Sequence, residues 1–158
     1  MTQYEIDILL KDLCARLPYG VKLVIDEMYL TEDMIKGGYD KTQELYGITY
    51  EGNVELLNMD YHMPVESIKP YLFPLSSMTE EQRIELYKAL GLGYESHYHL
   101  SKEWEDFNNS INNNALFLPA SWVSDLNKMY NYLNKNHFDY RGLIPMGLAN
   151  DATGKNIY

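Results

Sequence analysis

The chain has 158 residues, 46% of them hydrophobic and 13% aromatic, which is a globular composition with material for one domain or for two small units sharing a core. Its formal charge of -10 argues against direct nucleic-acid binding, which draws on cationic side chains that displace counterions from phosphates. A single cysteine, Cys14, excludes an internal disulfide framework, and no apolar run approaches the roughly 20 residues that a membrane crossing needs.

Thr2 with Glu5 forms a capping box, and Ile6, Leu9, Leu10, Leu13 and Leu17 recur at helical spacing behind it, so the first element is an amphipathic helix. Pro18 and Gly20 stop it. Val21 to Ile25 then alternates as a strand, with Val21, Leu23 and Ile25 on one face. Thr31 can cap one helical turn that Gly37 and Gly38 end. "QELYGITYEGNVELLNMD" reads as a hairpin turning at Glu51-Gly52-Asn53, where Gly and Asn supply the positive φ of a tight turn. Val65 to Pro74 is a last extended piece, and Pro70 and Pro74, lacking an N–H, confine it to an edge or a quick end. Several short strands joined by tight turns predict a small bent antiparallel sheet, with an SH3-like barrel as the expected form.

Thr79 and Gln82 make a second capping box, Glu80 and Glu81 occupy the positive first turn, and Gly91 marks the exit of the helix between them. Ser101 is placed to cap a short helix through Trp104 and Phe107, which is expected to end in the asparagine run "NNSINNN" as an exposed loop. Ser121 is placed to cap a further helix with Trp122, Leu126, Met129, Tyr130 and Leu133 on one side. The expected fold is therefore α+β: residues 1–77 a helix plus small barrel, residues 78–158 a helical part packed on it, and a polar tail, 150–158, that frays.

Residues able to carry chemistry are few. Cys14, next to Leu10, Leu13 and Leu17 in the first helix, is expected in the core rather than as a nucleophile. His97 and His99 alternate on one side of an extended segment and could share a metal with Glu95 or His62, but no recognised ligand spacing supports such a site, and no metal or other cofactor is expected. "GLG" at Gly91 to Gly93 follows a helix rather than a strand, and there is no GxSxG. Fifteen tyrosines exceed what a core requires, because a buried phenol must find a hydrogen-bond partner. Tyr46, Tyr50, Tyr61 and Tyr71 fall on the predicted sheet and are binding candidates, against the plainer reading that they cover it.

His137, Asp139 and Arg141 alternate in "NHFDYRGLIPMGLA". The histidine and arginine are candidates for binding an anion or exchanging a proton. No nucleophile lies nearby, and Phe138, Leu143, Ile144 and Leu148 in the same stretch suit a packing clasp.

The acidic excess is uneven: residues 1–60 hold 12 acids against 5 bases, residues 61–110 hold 8 against 4, and residues 111–158 hold 3 against 4. That balance leaves room for a basic protein partner, or for nucleic-acid mimicry, beside the simpler role of solubility.

Three stretches, "DLCARLPYGVK", "IKPYLFPLSSMTEEQ" and "NHFDYRGLIPMGLA", resemble a group of small uncharacterised proteins of gut bacterial genomes, prophages and mobile elements. The resemblance spans nearly the whole chain and implies a genetic setting, with no activity and no functional residue to carry over. Together with the missing catalytic constellation it predicts a non-enzymatic, cytoplasmic binding protein: a phage or mobile-element accessory factor acting through a protein partner. A protein that binds or sequesters a small molecule, such as a nucleotide or metabolite, is the alternative, and a metal-dependent enzyme is third.

Overall fold

A computed structural model describes residues 1–38, 40–57, 62–90, 102–116, 118 and 126–158. It divides the chain into two compact units. The first is Met1–Leu72 with Leu143–Tyr158, and the second is Phe73–Gly142. This differs from a single cut near residue 77: the last part of the chain belongs with the first part.

In the first unit α1 (Gln3–Arg16) opens on the expected capping box, with the Glu5 N–H donating to Thr2 Oγ1 and the Thr2 N–H donating to Glu5 Oε2. That reciprocal pairing satisfies two amides that would otherwise lack partners at the helix start. These hydrogen bonds to Thr2 hold the Glu5 carboxyl below its usual range. A 3-10 turn (Leu17–Tyr19) follows, and Gly20, at φ 65°, redirects the chain into β1 (Lys22–Ile25). α2 (Glu32–Lys36) is the single turn capped by Thr31, whose hydroxyl accepts from the Met34 N–H. β2 (Thr42–Ile48) and β3 (Val54–Leu56) form the hairpin, closed by Gly52 at φ 83° and a Thr49 N–H to Asn53 carbonyl bond of 2.8 Å. β4 (His62–Met63) adds to β3, and β5 (Ile68–Pro74) returns beside β1.

The resulting order β4-β3-β2-β1-β5 is antiparallel and open. The strands are not closed on themselves, so the expected SH3-like barrel does not form among the described residues. Nor is the sheet purely antiparallel. β7 (Asn150–Asp151) pairs parallel with β5 at Tyr71 and Leu72. Two-residue strands from a distant part of the chain carry no periodicity of their own, so neither their existence nor their direction is visible in sequence. Pro70 pairs with Leu23 on one side and precedes the start of the β7 ladder on the other, which spares it a donor requirement inside a seven-residue strand.

The core of this unit is apolar and continuous: Leu9 and Leu13 of α1 with Val21, Leu23, Ile25, Leu45, Val54, Leu56, Ile68 and Leu72 of the strands, joined by Leu143, Leu148 and Ala149. The tail, expected to fray, packs on this unit in the structure. Ala152 is fully buried and its N–H donates to the Leu72 carbonyl at 2.9 Å. The Tyr158 hydroxyl donates to the Tyr71 carbonyl at 2.6 Å and accepts from the Lys22 N–H at 3.3 Å. Cys14 is exposed, one step around α1 from the stripe of Leu9, Leu13 and Arg16 that faces inward, so the expectation of a core cysteine is also corrected.

The second unit takes the end of β5, where Phe73 and Pro74 pair parallel with β6 (Phe138–Asp139). α3 (Glu80–Ala89) carries the second predicted capping box, with the Gln82 N–H donating to Thr79 Oγ1 and the Thr79 N–H donating to Gln82 Oε1. α4 (Lys102–Asn112) and α5 (Leu126–Lys135) complete it. The asparagine run expected as a loop is helical through Asn112. Phe107 and Ile111, four residues apart, are both fully buried, and that pair of anchors overrides the weak helix propensity of asparagine. Asn114, at φ 54°, is where the chain leaves the helical conformation. The core here is richer in aromatics, with Tyr87, Phe107 and Phe138 among Leu75, Leu86, Leu90, Met129 and Leu133. Tyr87 meets Trp104 edge-on at 5.0 Å between ring centres, a favoured arrangement of ring quadrupoles. The expected caps Ser101 and Ser121, and Trp122, lie outside the described residues.

Candidate functional sites

The tyrosines expected to bind split into three environments. Tyr46 sits at the bulge where the β2–β3 register shifts between Leu45 and Gly47, and Tyr50 sits in the hairpin turn; they are 68% and 97% exposed. Beside Tyr46, a Cβ on Gly47 would meet the Glu55 carboxylate, which would have to swing away to admit it. The bulge thus lets Glu55 lie across the strand, where its Oε1 is 3.4 Å from Nδ1 of the exposed His62. Tyr71 is half-buried on β5: Lys155 Nζ stands 5.0 Å from its ring centre and Tyr158 binds its carbonyl. Tyr61 lies outside the described residues, as do His97, His99 and Glu95. Among the described residues no three His, Cys, Asp or Glu side chains are grouped to hold a metal ion.

His137 and Arg141 are placed by backbone and packing. His137 follows α5 with φ 57°, the left-handed conformation that ends many helices, and its N–H donates to the Asn134 carbonyl at 3.1 Å. Its own carbonyl accepts from the Phe73 N–H at 2.9 Å, and its side chain is buried. Arg141 lies over the Tyr140 ring at 4.6 Å, and the Tyr140 hydroxyl donates to Asn134 Oδ1 at 3.1 Å. The apolar residues of this segment are shared out between the two cores, Phe138 to the second and Leu143, Leu148 and Ala149 to the first. Gly142, at φ 75°, stands at the change of unit.

A further site, made of residues that sequence reasoning passed over, lies within the second unit. The first turn of α3 supplies Glu80 and Arg83, three residues apart and therefore neighbours on one face; α4 supplies Trp104 and Asn108, four apart on another. With Met78 they line an open cleft of about 310 Å³. Arg83 is held by three neutral acceptors: Nε donates to the Met78 carbonyl at 3.1 Å, Nη1 to Asn108 Oδ1 at 3.1 Å and Nη2 to Asn112 Oδ1 at 2.7 Å. Asn108 is itself oriented, its amide nitrogen donating to the Trp104 carbonyl at 3.0 Å. No described carboxylate comes within 4 Å of the guanidinium. Partial burial accordingly pulls Arg83 below its usual pKa, with the nearby Glu80 charge acting the other way.

The one sequence signal for this cleft was "TEEQRIE", read only as a capped helix start. Of its partner side chains, Trp104 comes from the predicted short helix, and Asn108 and Asn112 from the run expected to be loop.

Comparison with protein-family models, with curated proteins and with solved structures finds no match to this chain.

Proposed function

We propose that this is a non-enzymatic binding protein, an accessory factor of a phage or mobile element that acts in the cytoplasm through a protein partner. The observation that carries the reading is the outward display of Tyr46 and Tyr50 on one hairpin, 68% and 97% exposed. Tyrosine is a residue type that concentrates binding energy at interfaces, because it offers a large rigid ring at small entropic cost with a polar handle at its end. A hairpin closed by Thr49, Gly52 and Asn53 gives those rings a firm base. The net charge of -10 favours a basic partner surface and fast encounter with it. No described helix is long and apolar enough to cross a membrane.

Affinity capture from host cells, with and without phage, tests this when the wild type is run beside Tyr46→Ser/Tyr50→Ser. One host or phage protein should be enriched by the wild type and lost with the double variant. Equal enrichment by both chains, or none by either, overturns the proposal.

A further inference from the structure

We infer that the cleft between the first turn of α3 and α4 binds a small zwitterion, a free α-amino acid with an apolar side chain. The site belongs to the second unit and does not depend on the tyrosine hairpin of the first. Its lining is divided by chemistry: one cation, Arg83; one anion, Glu80; and an apolar part from Trp104 and Met78.

Arg83 has five N–H groups, of which three are taken by Met78, Asn108 and Asn112. All three acceptors are neutral, so among the described residues the guanidinium is oriented without being neutralised, and one N–H on Nη1 and one on Nη2 are left for a ligand. A carboxylate is the acceptor that matches that fork. Of the amides at the α3 start, that of Gln82 is already taken by the Thr79 hydroxyl.

Glu80 makes no ion pair with any described residue and sits one helical turn before Arg83. It would repel a simple anion while offering a place to an ammonium. Two opposite charges side by side on one helix face, opposite an indole, match a molecule that carries carboxylate and ammonium on adjacent atoms and an apolar group beyond them. At about 310 Å³ the cleft lies at the small end of ligand sites, which suits a single amino acid rather than a nucleotide.

The test is an NMR titration of the intact chain that follows the Arg83 Nε–H and the Trp104 indole N–H with three probes: L-leucine, its methyl ester, which lacks the carboxylate, and N-acetyl-L-leucine, which lacks the ammonium. Leucine should shift both signals saturably, and each blocked form should bind at least about tenfold weaker, the scale of one lost charge-assisted hydrogen bond. Asn112→Asp keeps the clamp on Nη2 but adds an internal carboxylate, and should weaken leucine about tenfold or more without unfolding the chain. Glu80→Gln should erase the preference for leucine over its N-acetyl form.

Two results overturn the proposal. One is no saturable shift at about 10 mM leucine, ten times the millimolar Kd at the weak end of ligand affinities. The other is equal binding of all three probes. Because none of these variants touches Tyr46 or Tyr50, loss of partner capture and loss of leucine binding are separable.

Discussion

The two units each hold a buried or half-buried arginine, and they treat it in opposite ways. In the first, Arg16 is fully buried and meets Asp12, four residues earlier on α1, through Nε at 2.6 Å and Nη2 at 3.0 Å. In the second, Arg83 is half-buried and, among the described residues, meets a carbonyl and two amides. A guanidinium matched by a carboxylate inside an apolar core contributes geometry and no net charge. One held by neutral acceptors at the edge of a cleft keeps its charge available. The contrast separates an arginine that serves the fold from one that can serve a ligand.

The sharpest way to break this comparison is to remove one partner of the buried pair. Asp12→Ala leaves Arg16 charged in the core of the first unit and should cost about 3–5 kcal/mol in urea denaturation. Asp12→Leu with Arg16→Met, which removes both charges, should recover most of that loss; a double variant as unstable as the single one would mean the pair is more than a neutralised couple.

Arg83→Met should cost less, about 1.5–3 kcal/mol in the same assay, because Asn108 and Asn112 can turn to water at the cleft edge. A loss as large as that of Asp12→Ala would erase the distinction between the two arginines. Thr79→Ala, which removes the cap of α3 beneath the cleft, should cost about 1 kcal/mol and loosen Arg83 only indirectly.

The alkaline range offers a third contrast. Burial raises the Tyr158 phenol above its usual value, with the Lys22 N–H bond opposing, and burial followed by the charge and hydrogen bond of Glu85 raises that of Tyr132. Tyr158 leaves 45% of its surface exposed, yet its hydroxyl end is the part inserted between Lys22 and Tyr71. A phenol whose folded pKa exceeds its unfolded one contributes stability that is whole below about pH 10 and declines as pH rises past it. Stability measured from pH 8 to 11 should therefore fall at the upper end, and Tyr158→Phe should flatten that fall for the first unit. The smallest effect belongs to Tyr46→Ser/Tyr50→Ser, which should change stability by no more than about 0.5 kcal/mol while removing partner capture.

Much of the fold was legible because local chemistry specified it. Thr2 with Glu5 and Thr79 with Gln82 announce helix starts through backbone amides that those side chains satisfy. Glycine at 20 and 52 marks turns whose φ an L side chain rarely adopts. The cleft was not legible for the complementary reason. Asn108 and Asn112 belong to a run with loop-like composition, and only the burial of Phe107 and Ile111 holds that run in a helix facing Arg83. The face that Cys14 takes is not legible likewise, because a helix face is settled by what covers it, and the pairing of Asn150 and Asp151 depends on a strand edge, β5, open to receive them.

The sequence by itself determined the α+β class, the helix starts at Thr2 and Thr79, the hairpin and the acidic balance, because each depends on neighbours within a few residues or on composition. Tertiary structure alone decided that the sheet stays open, that its last partners run parallel, that residues 143–158 join the first unit, and that Arg83 meets two asparagines. Those outcomes depend on contacts between residues 25 to 136 positions apart, for which a linear pattern contains no term.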